Sequence, residues 1–112
     1  MYYKIANFRE IIRLDESHKI DDMESEYIIA LSYQRAGKSD KARSKFKSFI
    51  EKYGSEAPEK AANAYFHIGD YYLKLKQYSK SYENFIKTLE LNPAHQKAKY
   101  FCEIYKHFSG KS

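Results

Sequence analysis

Apolar side chains recur every three or four residues along most of this chain, with charged and polar residues between them. Tyr65, Ile68, Gly69 and Tyr72 stand at i, i+3, i+4 and i+7, so they share one helical face. Ile29, Ala30 and Tyr33 repeat the stripe upstream. Punctuation between the stripes divides the chain into six predicted helices. Asp21 with Glu24 makes a capping-box-like start for the second. Gly37 suits a C′ position, with Ser39 as the next N-cap. Gly54 ends the third helix, and Pro58 fits the first turn of the fourth, where no intrahelical N–H bond is lost. Ser79 and Asn92 are the predicted N-caps of the last two, with Pro93 at N1.

The spacing has a longer period as well. From Ala62 to His95 a 34-residue unit runs from the Tyr65 stripe to Ser81, Phe85 and Pro93. Gly69 allows close approach of a second helix, Ser81 is the small residue answering it, and Phe85 fills the next turn. Met23–Glu56 repeats the order, with Ile29, Ala30, Tyr33, Ala42 and Phe46 in the corresponding places. That copy departs in carrying Glu26 at the bulky aromatic position, with Tyr27 one residue late. Phe49 also stands at a usually small site, and Gly54 at the closing Pro. The two copies are 39 residues apart, so about five extra residues fall near Gly54–Lys60 and are expected to lengthen the fourth helix.

These residues carry a resemblance to the tetratricopeptide repeat (TPR) family, whose pattern runs from a bulky aromatic through Leu-Gly and Tyr, then Ala and Phe, to Pro. Tyr65 stands at the aromatic, Ile68 at the Leu, and Gly69, Tyr72, Phe85 and Pro93 match it. Ser81 and Thr88 replace small Ala residues. The resemblance implies an all-α fold, a right-handed TPR superhelix of about six helices in a single domain. Residues 1–18 would form a half-repeat helix, 23–56 and 62–95 the two TPR hairpins, and 96–109 a capping helix. RLDESHK at 13–19 parallels ELNPAHQ at 90–96, which places Phe8 on Phe85 and Ile12 on Leu89. The first helix therefore reads as the second half of a repeat, either trimmed to a cap or continuing a longer array. In the last, Ala98, Phe101, Cys102 and Tyr105 share one side, while Lys97, Lys99, Glu103 and Lys106 supply the polar outer face that a terminal repeat needs.

The resemblance also implies a function. TPR proteins line a concave groove with the first helices of successive units and hold a partner's peptide or helix there. Carried onto this sequence, the groove positions are Tyr27, Ile28, Leu31 and Arg35, then Phe66, His67, Asp70 and Lys74. An apolar patch rimmed by charges is the usual look of an interaction site. Cover of these residues by the first helix, or by a second copy of the chain in a homo-oligomer, is the alternative. Chaperone-binding TPRs grip a terminal carboxylate with Lys and Asn, but Tyr27, Leu31 and His67 stand where that clamp needs them. FKSFIEKYGSEAPEKAANAYFHIGDYY is similar to TPR modules of bacterial envelope-assembly and cell-division accessory proteins, with Gly54 where those carry Pro.

Composition narrows the remaining classes. No run of about 18 apolar residues exists to span a membrane, and MYYKIANFRE lacks the apolar stretch of a secretion signal. A cytoplasmic location is the default expectation, with the envelope as the alternative for a piece of a longer chain. The lone Cys102 is expected to be a buried, inert thiol. Twelve Tyr and seven Phe with no Trp suit thin helical layers whose rings are half covered. The net charge of +5 is blocky: six acids from Asp15 to Glu26 face Lys19 alone, and six bases from Arg35 to Lys47 face Asp40 alone.

Lys38, Lys41, Lys45 and Lys52 could form an electrostatic track for nucleic acid. The aromatic residues needed for stacking, however, are at packing positions, which disfavours that partner. His67 and Asp70 are one turn apart but lack a third ligand, so no metal site is expected. His18, His95 and His107 read as surface or turn residues. Glu24 and Glu26 point to different faces, no nucleophile has a His and acid beside it, and there is no phosphate loop. Neither catalysis nor a cofactor is expected.

Overall fold

The computed structural model describes residues 8–16 and 22–109, for residues 8, 14–16, 108 and 109 the backbone alone. Among these residues there are six helices and no strand: α1 (Phe8–Glu16), α2 (Met23–Arg35), α3 (Ser39–Tyr53), α4 (Pro58–Lys74), α5 (Tyr78–Leu91) and α6 (Gln96–Ser109). The ends of the predicted half-repeat helix, at 1–7 and 17–18, lie outside the described residues. The chain divides into two compact units, Met1–Lys52 and Tyr53–Ser112.

In the first unit α1 packs on α2, and Ile12 is buried. The stripe of α2 buries Ile29, Ala30 and Tyr33, while α3 buries Ala42, Phe46 and Phe49. Tyr27 on α2 meets Phe46 edge-on at 6.1 Å and Phe49 at 5.3 Å. One residue toward the start of α2, Glu26 takes the ammonium of Lys52 at 2.9 Å, from the far end of α3. These contacts run the two helices antiparallel. Ser32 tolerates burial because its hydroxyl donates to the Ile28 carbonyl at 2.8 Å.

In the second unit α4 packs on α5, and α5 on α6. Phe85, Ala98 and Cys102 form the buried centre, with Phe66, Tyr82, Ile86, Leu89 and Phe101 packed around it. Phe85 stacks on Phe101 at 5.2 Å, and Tyr82 on Tyr105 at 4.4 Å. Gly69 and Ser81 are both buried, as the small-residue pattern requires. Burial raises the pKa of the Cys102 thiol, which keeps it protonated and unreactive. α4 has 17 residues against 13 in α2, so the extra inter-copy residues do lengthen that helix.

The turns inside the two hairpins share one backbone solution. After α2 the Lys38 N–H bonds the Tyr33 carbonyl and the Gly37 N–H bonds the Gln34 carbonyl, with Gly37 at φ +80°. After α4 the Gln77 N–H bonds Tyr72 and the Lys76 N–H bonds Leu73, with Lys76 at φ +62°. Both are Schellman closures needing a left-handed C′ residue. Gly37 meets that need without strain, whereas Lys76 meets it against the preference of an L side chain.

Several predicted caps shift. The N-cap of α2 is Asp22 rather than Asp21, and its carboxylate accepts the Ser25 N–H at 2.9 Å. That bond lowers the pKa of the Asp22 carboxyl. Ser39 is the first residue of α3 rather than its cap, because the Ala42 N–H already reaches the Lys38 carbonyl. Ser79 does not cap α5: the Lys76 turn starts that helix earlier, at Tyr78, with Gln77 as an N-cap lacking a side-chain bond. Asn92 closes α5 instead of opening α6, and its side-chain oxygen accepts the Ala94 N–H at 3.2 Å. Pro93 therefore lies in the turn, and α6 begins at Gln96.

Candidate partner-binding faces

The eight residues singled out from the sequence lie on α2 and α4, four on each. On α2, Tyr27, Ile28 and Leu31 are half-buried and Arg35 is exposed. On α4, Phe66, His67 and Asp70 are half-buried and Lys74 is exposed. Each face thus grades from packed to solvent-facing toward the helix C-terminus. The chemistry differs, however: Ile28 and Leu31 make the α2 face apolar, where His67 and Asp70 make the α4 face polar.

Aromatic packing supports both faces from beneath. Tyr27 over Phe46 in the first unit has its counterpart in Phe66 over Phe85 in the second, at 5.3 Å. Lys41 over the Tyr33 ring at 5.9 Å likewise corresponds to Lys80 over Tyr72 at 5.5 Å. Phe66 is tied down further, with His95 at 4.8 Å and Phe101 at 6.4 Å. It is therefore a packing residue of α4 against α5 and α6, with only part of its ring open to solvent. The lysines of α3 are partly occupied too, since Lys45 also lies over Tyr33 and Lys52 pairs with Glu26.

Electrostatics on α4 centre on His67. Burial pushes its pKa down to about 4; Asp70 works against that shift, while His95, Lys97 and Lys74 reinforce it. The imidazole is accordingly neutral at pH 7. Asp70 holds Lys74 at 3.3 Å across one helical turn, a surface pair contributing little to stability. Among the described residues no three His, Cys, Asp or Glu side chains converge as metal ligands. No helix there is long and apolar enough to cross a membrane.

His95 is the residue whose role the sequence pattern concealed. Its Nδ1 accepts the Ala98 N–H at 3.2 Å, so it caps α6, while its ring lies against Phe66. Burial also lowers its pKa, with Lys97 adding to the effect. A residue in a turn just before an apolar stripe was the available signal. His is not a usual cap, though, and Asn92 nearby offered a more familiar one.

Helix pairs joined by tight left-handed closures, with small residues at the crossings and recurring ring pairs, define a helical-repeat protein. Tetratricopeptide repeat family models match residues 24–55 and 62–95. Together those segments cover more than half of the chain, which belongs to the tetratricopeptide repeat family. TPR repeats mediate protein–protein interactions, and theirs is a non-enzymatic interaction fold. No curated protein sequence matches the chain.

Proposed function

We propose that this protein is a non-enzymatic interaction scaffold that holds a partner's peptide or helix on the first helices of its two repeats. Tyr27, Ile28 and Leu31 on α2 take the partner's apolar side chains, and Arg35 at the outer end takes an acidic or polar group. The exposed part of Phe66, with His67, Asp70 and Lys74 on α4, takes its polar groups. The observation that supports this reading is the shared gradient of the two faces: a packed aromatic base, half-buried middle positions and a cation at the outer end. Half-buried apolar residues retain area to desolvate, which is where binding energy concentrates.

A pull-down with the intact chain beside a Leu31→Glu, Asp70→Lys variant tests the proposal. Partners retained by the first and lost by the second, with equal melting temperatures, support it. Equal retention by both would end it. Light scattering across concentrations distinguishes the rival occupant, a second copy of the chain. A dimer dispersed by the same variant would replace the scaffold reading with self-assembly.

A further inference from the structure

The second unit contains a cavity of about 920 Å³ that involves none of the eight residues above. It lies between the first half of α5 and the second half of α6, with Leu73 of α4 at one end. The Phe85–Phe101 and Tyr82–Tyr105 stacks form its aromatic lining, and Ile104 adds to it. Its size is typical of a pocket that encloses a ligand group. The Ser79 hydroxyl, 3.4 Å from that of Tyr105, supplies a polar point at the edge.

Among the residues that line this cavity Lys80 alone is charged. From Tyr71 to Tyr82 the chain carries Lys74, Lys76 and Lys80 and no acid. Lys80 itself lines the cavity, and Lys76 directly precedes the lining residue Gln77. No acidic residue occupies the first turn of α5, and Gln77 makes no side-chain cap bond, so the positive end of that helix dipole is not offset there. Two large apolar side chains in the same stretch, Leu75 and Tyr78, are about half exposed, at 50% and 51%. Asp70 pairs with Lys74, so the stretch joins an apolar recess and exposed apolar surface to the two cations Lys76 and Lys80.

We infer that the α5–α6 cavity is a second docking site, whose occupant is an acidic peptide segment of a partner protein inserting a bulky apolar side chain between Tyr82 and Phe101. Charge complementarity selects the occupant. The recess admits a large apolar side chain with room for its neighbour, while Lys76, Lys80 and the start of α5 meet the flanking carboxylates. Tyr78, Tyr82 and Tyr105 present rigid amphipathic rings, which give contact area at low cost in conformational entropy. The cavity shares no lining residue with the eight positions on α2 and α4, so either reading can fail without the other.

Fluorescence polarisation of the full chain with a labelled peptide bearing a Leu-Phe pair between Asp and Glu residues tests this. Saturable binding is expected. It should weaken at least tenfold, about 1.4 kcal/mol, in a Lys76→Glu, Lys80→Glu variant, and should fall as salt rises. Ser79→Trp, which puts an indole into part of the cavity from an exposed position without removing a core side chain, should weaken it similarly at an unchanged melting temperature. Leu31→Glu alone, which leaves the Asp70–Lys74 pair in place, should bind the peptide normally. Equal affinity for a Lys-substituted peptide, or no effect of Ser79→Trp, would overturn the proposal. So would binding to anionic vesicles without peptide binding, or a dimer that Ser79→Trp disperses.

Discussion

The ring of Phe85 on α5 lies so close over Gly69 on α4 that a Cβ added there would stand 2.6 Å from its Cε1 and 2.8 Å from its Cδ1. The ring cannot easily retreat, because it is buried and stacked on Phe101. Helix propensity favours Ala over Gly by about 1 kcal/mol, but overpacking at a close crossing costs about 1–3 kcal/mol. Gly69→Ala is therefore expected to lower the melting temperature despite its better propensity. Gly69→Leu should lower it further. A rise with Ala would show that the helices stand farther apart.

The two hairpin turns form a matched pair for testing backbone strain. Gly37 has nothing within 4 Å of an added Cβ, so Gly37→Ala tests the φ of +80° alone. It should cost about 1 kcal/mol. Lys76, at φ +62°, should respond in the opposite direction, with Lys76→Gly adding about 0.5–1 kcal/mol. Denaturant midpoints measure both, and parallel shifts would contradict the shared closure.

Acid should weaken the second unit. The native pKa of His67 lies below its ordinary value of 6.5, at about 4, so the unfolded chain binds the proton more readily between those limits. The associated stability is complete above pH 6.5 and is lost as pH falls toward 4. Its size is on the order of 3 kcal/mol. His95 acts in the same direction, because protonating Nδ1 removes the acceptor that caps α6. Melting curves from pH 7 to 4.5 should show a steep decline in the wild type and a shallower one in His67→Gln. Identical slopes would exclude His67 as the source.

Phe66 belongs to a ring cluster as well as to a proposed binding face, so its removal should register first in stability. Phe66→Ala is expected to cost about 2–3 kcal/mol, less than a fully buried Phe. Urea unfolding measures this, and a change below about 0.5 kcal/mol, the range of ordinary surface substitutions, would mean that the contacts with Phe85 and His95 carry little energy. Partner assays on this variant are interpretable only at temperatures where it remains folded.

How far the chain could be read in advance depends on the range of the interactions concerned. Helical periodicity and the stops at Gly37 and Gly54 act over a few residues, so six helices and two hairpins were legible. The Gly69–Phe85 crossing was legible too, because a repeat period places the small residue and the ring at set distances. The candidate faces followed from the same registration, although how much of Phe66 remains exposed did not. Caps were less tractable: Asp21 and Asp22 are chemically equivalent, and one residue of helix phase separates them.

What had to await three dimensions depends on partners distant in sequence. His95 could be recognised as the α6 cap only once the Asn92 turn had carried it past the end of α5. Lys76 adopts φ +62° because the hairpin must close there, a demand of the packed helices that outweighs local preference. The cavity exists because Tyr82 stacks on Tyr105 and Phe85 on Phe101, which no spacing within α5 or α6 alone encodes. Local chemistry thus determined the helices and their pairing, while the packing of side chains from separate helices decided which surfaces stayed open.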